Sequence, residues 1–375
     1  MDNADKSKGD GRLFSLDLLR GLDMLLLTVI GPFFVALDQS FELPKCFMRQ
    51  FHHEWGGFTL WDIIMPLFIF MCGCAVPFAL GKRLKDGKTN AVYWRHVASR
   101  FVLLWVLGMV AQGRLLSLDV LQISPFNNTL QTIACGYLAA AIVLPIKNRR
   151  IRAAIPVALA LGYSLALHFC GDYTQTGNAA FRFEQWFVPF IVPSGSRVLE
   201  LADPGYTWWL TIPMFCAMTL CGLEATTILI ASEDPKRRLA KLAGLGAALL
   251  AIGWALVPVV PPIKHIYTFT FTAQAMGWSC LSLAFLFWLA DIVKFRRGSW
   301  LVLLFGQTSL LAYMAGDEFK DVLRQFGKHM AVGFEHAFGP KSVPLGVWFF
   351  ASVLLVAVLW LRRASRRRNQ AANGR

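Results

Sequence analysis

Runs of about twenty mostly apolar residues recur along this 375-residue chain, and that recurrence limits the fold more than any other feature. Twenty residues of helix span about 30 Å, the thickness of the hydrocarbon core of a bilayer. Within that core a backbone must satisfy its own hydrogen bonds, so long continuous apolar runs read as helices. About ten can be marked, at 14–38, 59–81, 93–112, 128–146, 151–170, 206–231, 239–260, 268–293, 299–318 and 345–361. At 56% hydrophobic and 16% charged residues, the composition excludes an ordinary soluble domain. The expected fold is all-α, a polytopic integral membrane helix bundle. Residues 13–361 are expected to form one transmembrane domain, with 1–12 a disordered N-terminus and 362–375 a basic tail. The first run carries Asp17, Arg20 and Asp23 and is too long for the apolar region of a cleavable signal peptide.

The formal charge of +14 points to topology before it points to nucleic acid. Basic residues gather in alternate connections: Lys82 to Lys88, Lys147 to Arg152, Lys236 to Lys241, Lys294 to Arg297, and the RRASRRR tail. By the positive-inside rule those connections and both termini are cytoplasmic, as an even number of spans requires. The bilayer and its anionic lipids account for the charge, and no nucleic-acid partner is expected. The segment FHHEWGGF, 51–58, then lies on the outer face, together with 113–127, 171–205, PPIKHIY and 319–344. The eight cysteines lie mostly within spans, where a thiol acts as a small hydrophobe. They show no disulfide framework and no metal-ligand spacing, so no metal is expected.

Polar residues inside apolar runs are costly and mark candidate sites. Asp17, Arg20 and Asp23 recur every third residue near the cytoplasmic end of the first span. They suit either a self-neutralising ion pair or a ligand-facing cluster. Asp62 opens the second span, where an acid favours a helix N-terminus. If FHHEW folds back over that helix, the same carboxylate reaches an imidazole and fixes its tautomer. His52 and His53 are either interfacial anchors beside Trp55 or groups for acid–base or nucleophilic chemistry near neutral pH. Asn127, Asn128, Gln131, Lys264, His265 and the stretch from Gln307 to Tyr313 add polar groups, mostly near outer span ends. His329 and His336, in an amphipathic outer segment, read as surface groups.

These residues carry a resemblance. SLDLLRGLDM, followed by HHEWGGFTLWDIIMPLFIFMCG, resembles the catalytic region of the heparan-α-glucosaminide N-acetyltransferase family, particularly its bacterial members. The family pattern is D-x-x-R-G, then H-x-x-W-[NG]-G, then D-x-x-x-P-x-F-x-F-x-x-G. LQTIACGYLAAA, PPIKHIYTFTF and LFGQTSLLAYM agree more loosely with later family motifs, so the likeness runs over most of 12–318. It departs at Thr132, where the family has arginine, and around Gln307 and Thr308, where it has asparagine.

The resemblance implies transfer of an acetyl group from cytosolic acetyl-CoA, the co-substrate, to an amino sugar or glycan on the far side of a bacterial inner membrane. It implies His52 as the reacting imidazole, with His53 as the neighbouring alternative and Asp62 as the orienting partner. Either an acyl-imidazole or general-base catalysis satisfies the pattern. Arg20, Asp17, Asp23 and Gln131 are expected on the acetyl-CoA side, and Trp55, Glu54 and Lys264 on the acceptor side. Members of the family form dimers, so the resemblance leaves a homodimer open, and the sequence does not fix the oligomeric state.

Two rival readings remain. Membrane O-acyltransferases of the acyltransferase-3 class also begin with an L-D-x-x-R-G-like motif, but their histidine usually follows inside the first span, and IGPFFVAL holds none. A secondary transporter would suit ten spans with polar midplane groups, yet no internal repeat is visible.

Overall fold

The computed structural model describes residues 13–84, 87–200 and 207–373; the expected disordered segment 1–12 lies outside the described residues. The described chain is helical, with no β-strand among the described residues. In chain order the principal helices are α1 (Phe14–Leu25), α2 (Gly31–Phe41), α3 (Ile64–Leu80), α4 (Ala91–Ala111), α5 (Thr129–Val143), α6 (Arg149–Cys170), α7 (Ala179–Phe187) and α8 (Ile212–Leu229). They continue with α9 (Pro235–Ala255), α10 (Phe269–Phe287), α11 (Trp300–Gln307), α12 (Ser309–Tyr313), α13 (Lys320–Met330), α14 (Val332–Phe338) and α15 (Val343–Asn373).

Seven helices among the described residues are long and apolar enough to cross a membrane: Phe14–Phe41, Leu60–Arg83, Arg149–Cys170, Trp209–Leu229, Pro235–Ala255, Phe269–Ile292 and Pro340–Arg366. The chain is thus a multi-pass helical membrane protein. Three of the expected runs fall outside this group for visible reasons. Helix α4 carries Arg95, His96 and Arg100, α5 is apolar but has only 15 residues, and the run at 299–318 breaks between α11 and α12 at Thr308. The stretch expected as a separate tail continues α15 to Asn373.

The chain divides into two compact units. The larger holds Glu54–Phe58 and Met65–Phe285; the smaller holds Leu13–His53, Thr59–Ile64 and the chain from Leu286 onward.

In the larger unit, α8 is the central helix, packed on α5, α6 and α9. Helices α3 and α8 touch backbone to backbone through two glycines. A Cβ at Gly73 would sit 1.8 Å from the Thr219 carbonyl oxygen, and one at Gly222 would sit 2.0 Å from that of Phe70. Lipid gives helices no hydrophobic drive to associate, so such close small-residue contacts and cross-helix hydrogen bonds hold them. Thr226 adds one of these bonds, its hydroxyl donating to the Cys74 carbonyl at 3.0 Å. The core beside them is apolar, built on Val76, Leu80, Tyr93, Tyr137 and Leu223, and the Tyr93 hydroxyl donates to the Ala141 carbonyl at 2.7 Å.

In the smaller unit, α1 packs on α11 by the same device, with Gly21 against Val302 and Gly306 against Asp17. Helices α13 and α15 form a second pair. Two π-helical turns, Leu26–Ile30 and Met314–Glu318, lie against each other, and a Cβ at Gly316 would meet Thr28 Cγ2 at 2.5 Å. Such turns are rare and gather at functional sites.

Candidate functional site: a histidine and aspartate pair at a helix entrance

The site begins with a helix start. Thr59 and Asp62 form a reciprocal capping box at the short 3-10 turn Leu60–Ile63 that leads into α3. The Thr59 amide donates to Asp62 Oδ2 at 2.9 Å and its hydroxyl does so at 2.8 Å; the hydroxyl is also 3.3 Å from the His52 carbonyl oxygen. These donors hold a side chain that is nearly inaccessible, Asp62 being 2% exposed. Its other oxygen, Oδ1, lies 2.7 Å from Nδ1 of His53. An ionised carboxylate only accepts, so an ionised Asp62 places a proton on Nδ1 of His53. The His53 side chain is 31% exposed. The helix-capping and histidine-orienting readings of Asp62 are therefore both realised, one on each oxygen.

The partner of Asp62 differs from the one expected. The resemblance implies His52, and the structure pairs Asp62 with His53. His52 is extended, with φ −115° and ψ 150°, and consecutive side chains on extended backbone point to opposite sides. Only one of two adjacent imidazoles can then face the carboxylate. His52 itself is exposed.

The residues expected on the acceptor side lie in the larger unit. Trp55 donates its indole N–H to the Tyr173 carbonyl at 3.0 Å and stacks on His265, centroids 5.1 Å apart. Gly57, at φ 114°, takes a conformation that side-chain-bearing residues avoid and donates its amide to the Pro262 carbonyl at 2.8 Å. Lys264 is buried and Glu54 exposed. The PPIKHIY segment is held by Thr268, whose hydroxyl accepts from the Ile263 amide at 2.9 Å, and by Tyr163, whose hydroxyl donates to the Ile266 carbonyl at 2.5 Å.

On α1, Asp17 and Arg20 form the expected ion pair at 3.3 Å. Asp23 is different: it is 2% exposed, and neither carboxylate oxygen has a hydrogen-bond partner among the described residues. Gln131, expected on the acetyl-CoA side, caps a helix start. It is fully buried, its Oε1 accepts from the amides of Asn127 and Asn128 at 2.9 and 3.1 Å, and its Nε2 donates to the Pro125 carbonyl at 2.6 Å. That side chain closes the N-terminus of α5 and presents no surface to a ligand.

All eight cysteines are free thiols, and no group of metal-ligating side chains occurs among the described residues. Two contributors went unnoticed in the sequence. Thr59 carried a readable signal, the T-x-x-D capping pattern. Tyr173 carried none, because it contributes a main-chain carbonyl.

The model of a family described as Domain of unknown function (DUF5009) matches residues 12–228, a span that includes α1, both histidines and Asp62. No curated protein matches the chain.

Proposed function

The chain belongs to the DUF5009 family, and we propose that it is a membrane acetyltransferase that passes an acetyl group from cytosolic acetyl-CoA to an amino sugar on the far side of a bacterial inner membrane. The observation that carries this reading is the His53 and Asp62 pair. A buried carboxylate held by Thr59 fixes the orientation of a partly exposed imidazole through one ring nitrogen. That is the arrangement a general base or acyl acceptor requires.

Nε2 of His53 is the reacting atom in either chemistry, taking the amine proton or the acetyl group itself. In the net reaction the acyl C–S bond breaks and an amide C–N bond forms. The amine proton leaves with the CoA thiol. His52 is assigned the neighbouring position, and Trp55, Glu54 and Lys264 the recognition of the acceptor. Arg20, with Asp17, suits the cytoplasmic side, where the basic connections favour the phosphates of CoA.

In this reading ten segments cross the bilayer, including α4, the short α5 and the broken α11 and α12, and both termini are cytoplasmic. Charge placement supports that orientation. Homodimers fit the resemblance. A secondary transporter is the second reading, favoured by the helix break at Thr308, since transporters place interrupted helices at their binding sites.

Release of free CoA thiol from acetyl-CoA by purified protein, with glucosamine as acceptor, separates the two. The acetyltransferase releases thiol, Asp62→Ala and His53→Ala lose it, and His52→Ala keeps a measurable rate. A wild-type protein that releases none with any amino sugar supports the transporter instead.

A further inference from the structure

The smaller unit contains a cavity of about 680 Å³ that the acetyl-transfer chemistry does not use. This volume is within the usual range for small-molecule sites. Its walls are apolar, from Leu27, Val35, Phe51, Trp61, Trp348 and Leu355. The rings are fixed in place. Trp61 lies so close to Gly31 that a Cβ there would meet the indole at 2.1 Å, and Trp348 donates its N–H to the Val29 carbonyl at 2.9 Å.

One side of the cavity is charged. Lys320, Arg324 and Lys328 recur every fourth residue on α13, so they share one helix face, and all three line the cavity while reaching solvent. None of the described residues lining it is acidic. Arg324 lies 4.0 Å from Asp321 in an exposed contact. Three aligned cations in 319–344 also run against the charge rule that makes outer connections poor in Lys and Arg, so they require a separate reason. An apolar chamber with a row of cations at its edge complements one kind of molecule, an amphiphile with a hydrocarbon chain and an anionic head. Two wall residues tie the chamber to the site: Phe51 directly precedes His52 and Trp61 directly precedes Asp62.

We propose that this cavity binds a phosphate-bearing membrane lipid, its chain among the aromatic walls and its phosphate on Lys320, Arg324 and Lys328, and that the acceptor amino sugar is delivered on such a lipid. The second half rests on the acetyltransferase reading. The first does not.

The test is binding of farnesyl phosphate, farnesol and inorganic phosphate to the purified full-length protein by native mass spectrometry, without acetyl-CoA. Farnesyl phosphate is expected to bind at least tenfold more tightly than farnesol, and excess inorganic phosphate not to displace it. Arg324→Gln combined with Lys328→Gln is expected to weaken binding about 30-fold. Ala351→Trp, which fills the chamber without touching the cations, is expected to abolish it. Equal binding of alcohol and phosphate, displacement by inorganic phosphate, or unchanged affinity in the double variant overturns the lipid site. Thiol release with free glucosamine by a protein that fails these tests leaves the acetyltransferase reading standing and removes only the lipid. Farnesyl phosphate binding by a protein that releases no thiol keeps the lipid site and removes the acetyltransferase.

Discussion

Nδ1 of His53 and Oδ1 of Asp62 stand 2.7 Å apart at the entrance to α3, with Thr59 holding the opposite carboxylate oxygen. Replacing Asp62 with Asn keeps the shape and the cap but no longer enforces the tautomer. The expected result is a 10²- to 10⁴-fold lower kcat, on the scale of a lost acid–base function, with KM for acetyl-CoA little changed. Steady-state thiol release measures both, and a kcat within threefold of wild type would remove Asp62 from the mechanism.

Asp23 is a buried carboxyl without a hydrogen-bond partner among the described residues, a placement that costs roughly 1–3 kcal/mol or more. It has acceptor capacity for a ligand donor, such as an amide N–H of the pantetheine arm. Asp23→Leu is therefore expected to raise the apparent Tm in detergent while raising KM for acetyl-CoA about tenfold. A variant that loses stability with KM unchanged would show a structural role instead.

The ion pair between Arg152 at the start of α6 and Glu224 on α8, 2.5 Å apart and mostly buried, joins those two helices in the larger unit. Removing one partner strands the other charge, so Glu224→Leu is expected to cost about 3 kcal/mol. Arg152→Met in the same chain should restore most of the loss. Thermal unfolding of the two single variants and the double variant measures the coupling, and additive losses would show that the pair does not couple.

Glu184, on α7, accepts a hydrogen bond from the Trp209 amide at 3.1 Å. Burial pushes its carboxyl from 4.5 up to about 7, against the lowering effect of that bond. A raised carboxyl favours the folded state only while protonated. Its penalty is absent below about pH 4.5, grows as the unfolded chain ionises, and is complete above about pH 7. Glu184→Gln keeps an acceptor for Trp209 and removes the penalty, so it should stabilise the protein by roughly 1–3 kcal/mol at pH 8 and by little at pH 4.5. Melting curves at the two values decide it, and equal shifts at both would contradict the assignment.

The helical membrane fold was readable because apolar run length reports directly on a bilayer. Its breaks were not: Thr308 follows Gly306, whose close contact with Asp17 joins segments nearly 300 residues apart. The π-helical turns also left no mark in the apolar pattern. Within the site, polar residues beside apolar runs marked the histidine pair and Asp62, yet could not say which imidazole meets the carboxylate, because a single extended residue reverses the direction of the side chain. Gln131 is a different case: a polar residue in an apolar run caps the helix that follows. The cavity in the smaller unit was invisible because its walls come from residues 27–61 and 316–355, whose pairing only the fold provides.

The most direct measurement uses proteoliposomes with glucosamine sealed inside and radiolabelled acetyl-CoA outside. Protein inserted with its basic connections outward should accumulate labelled N-acetylglucosamine in the lumen, His53→Ala should abolish accumulation, and His52→Ala should retain it. No luminal product from the wild type, or undiminished product from His53→Ala, would contradict transfer across the membrane through the His53 and Asp62 pair.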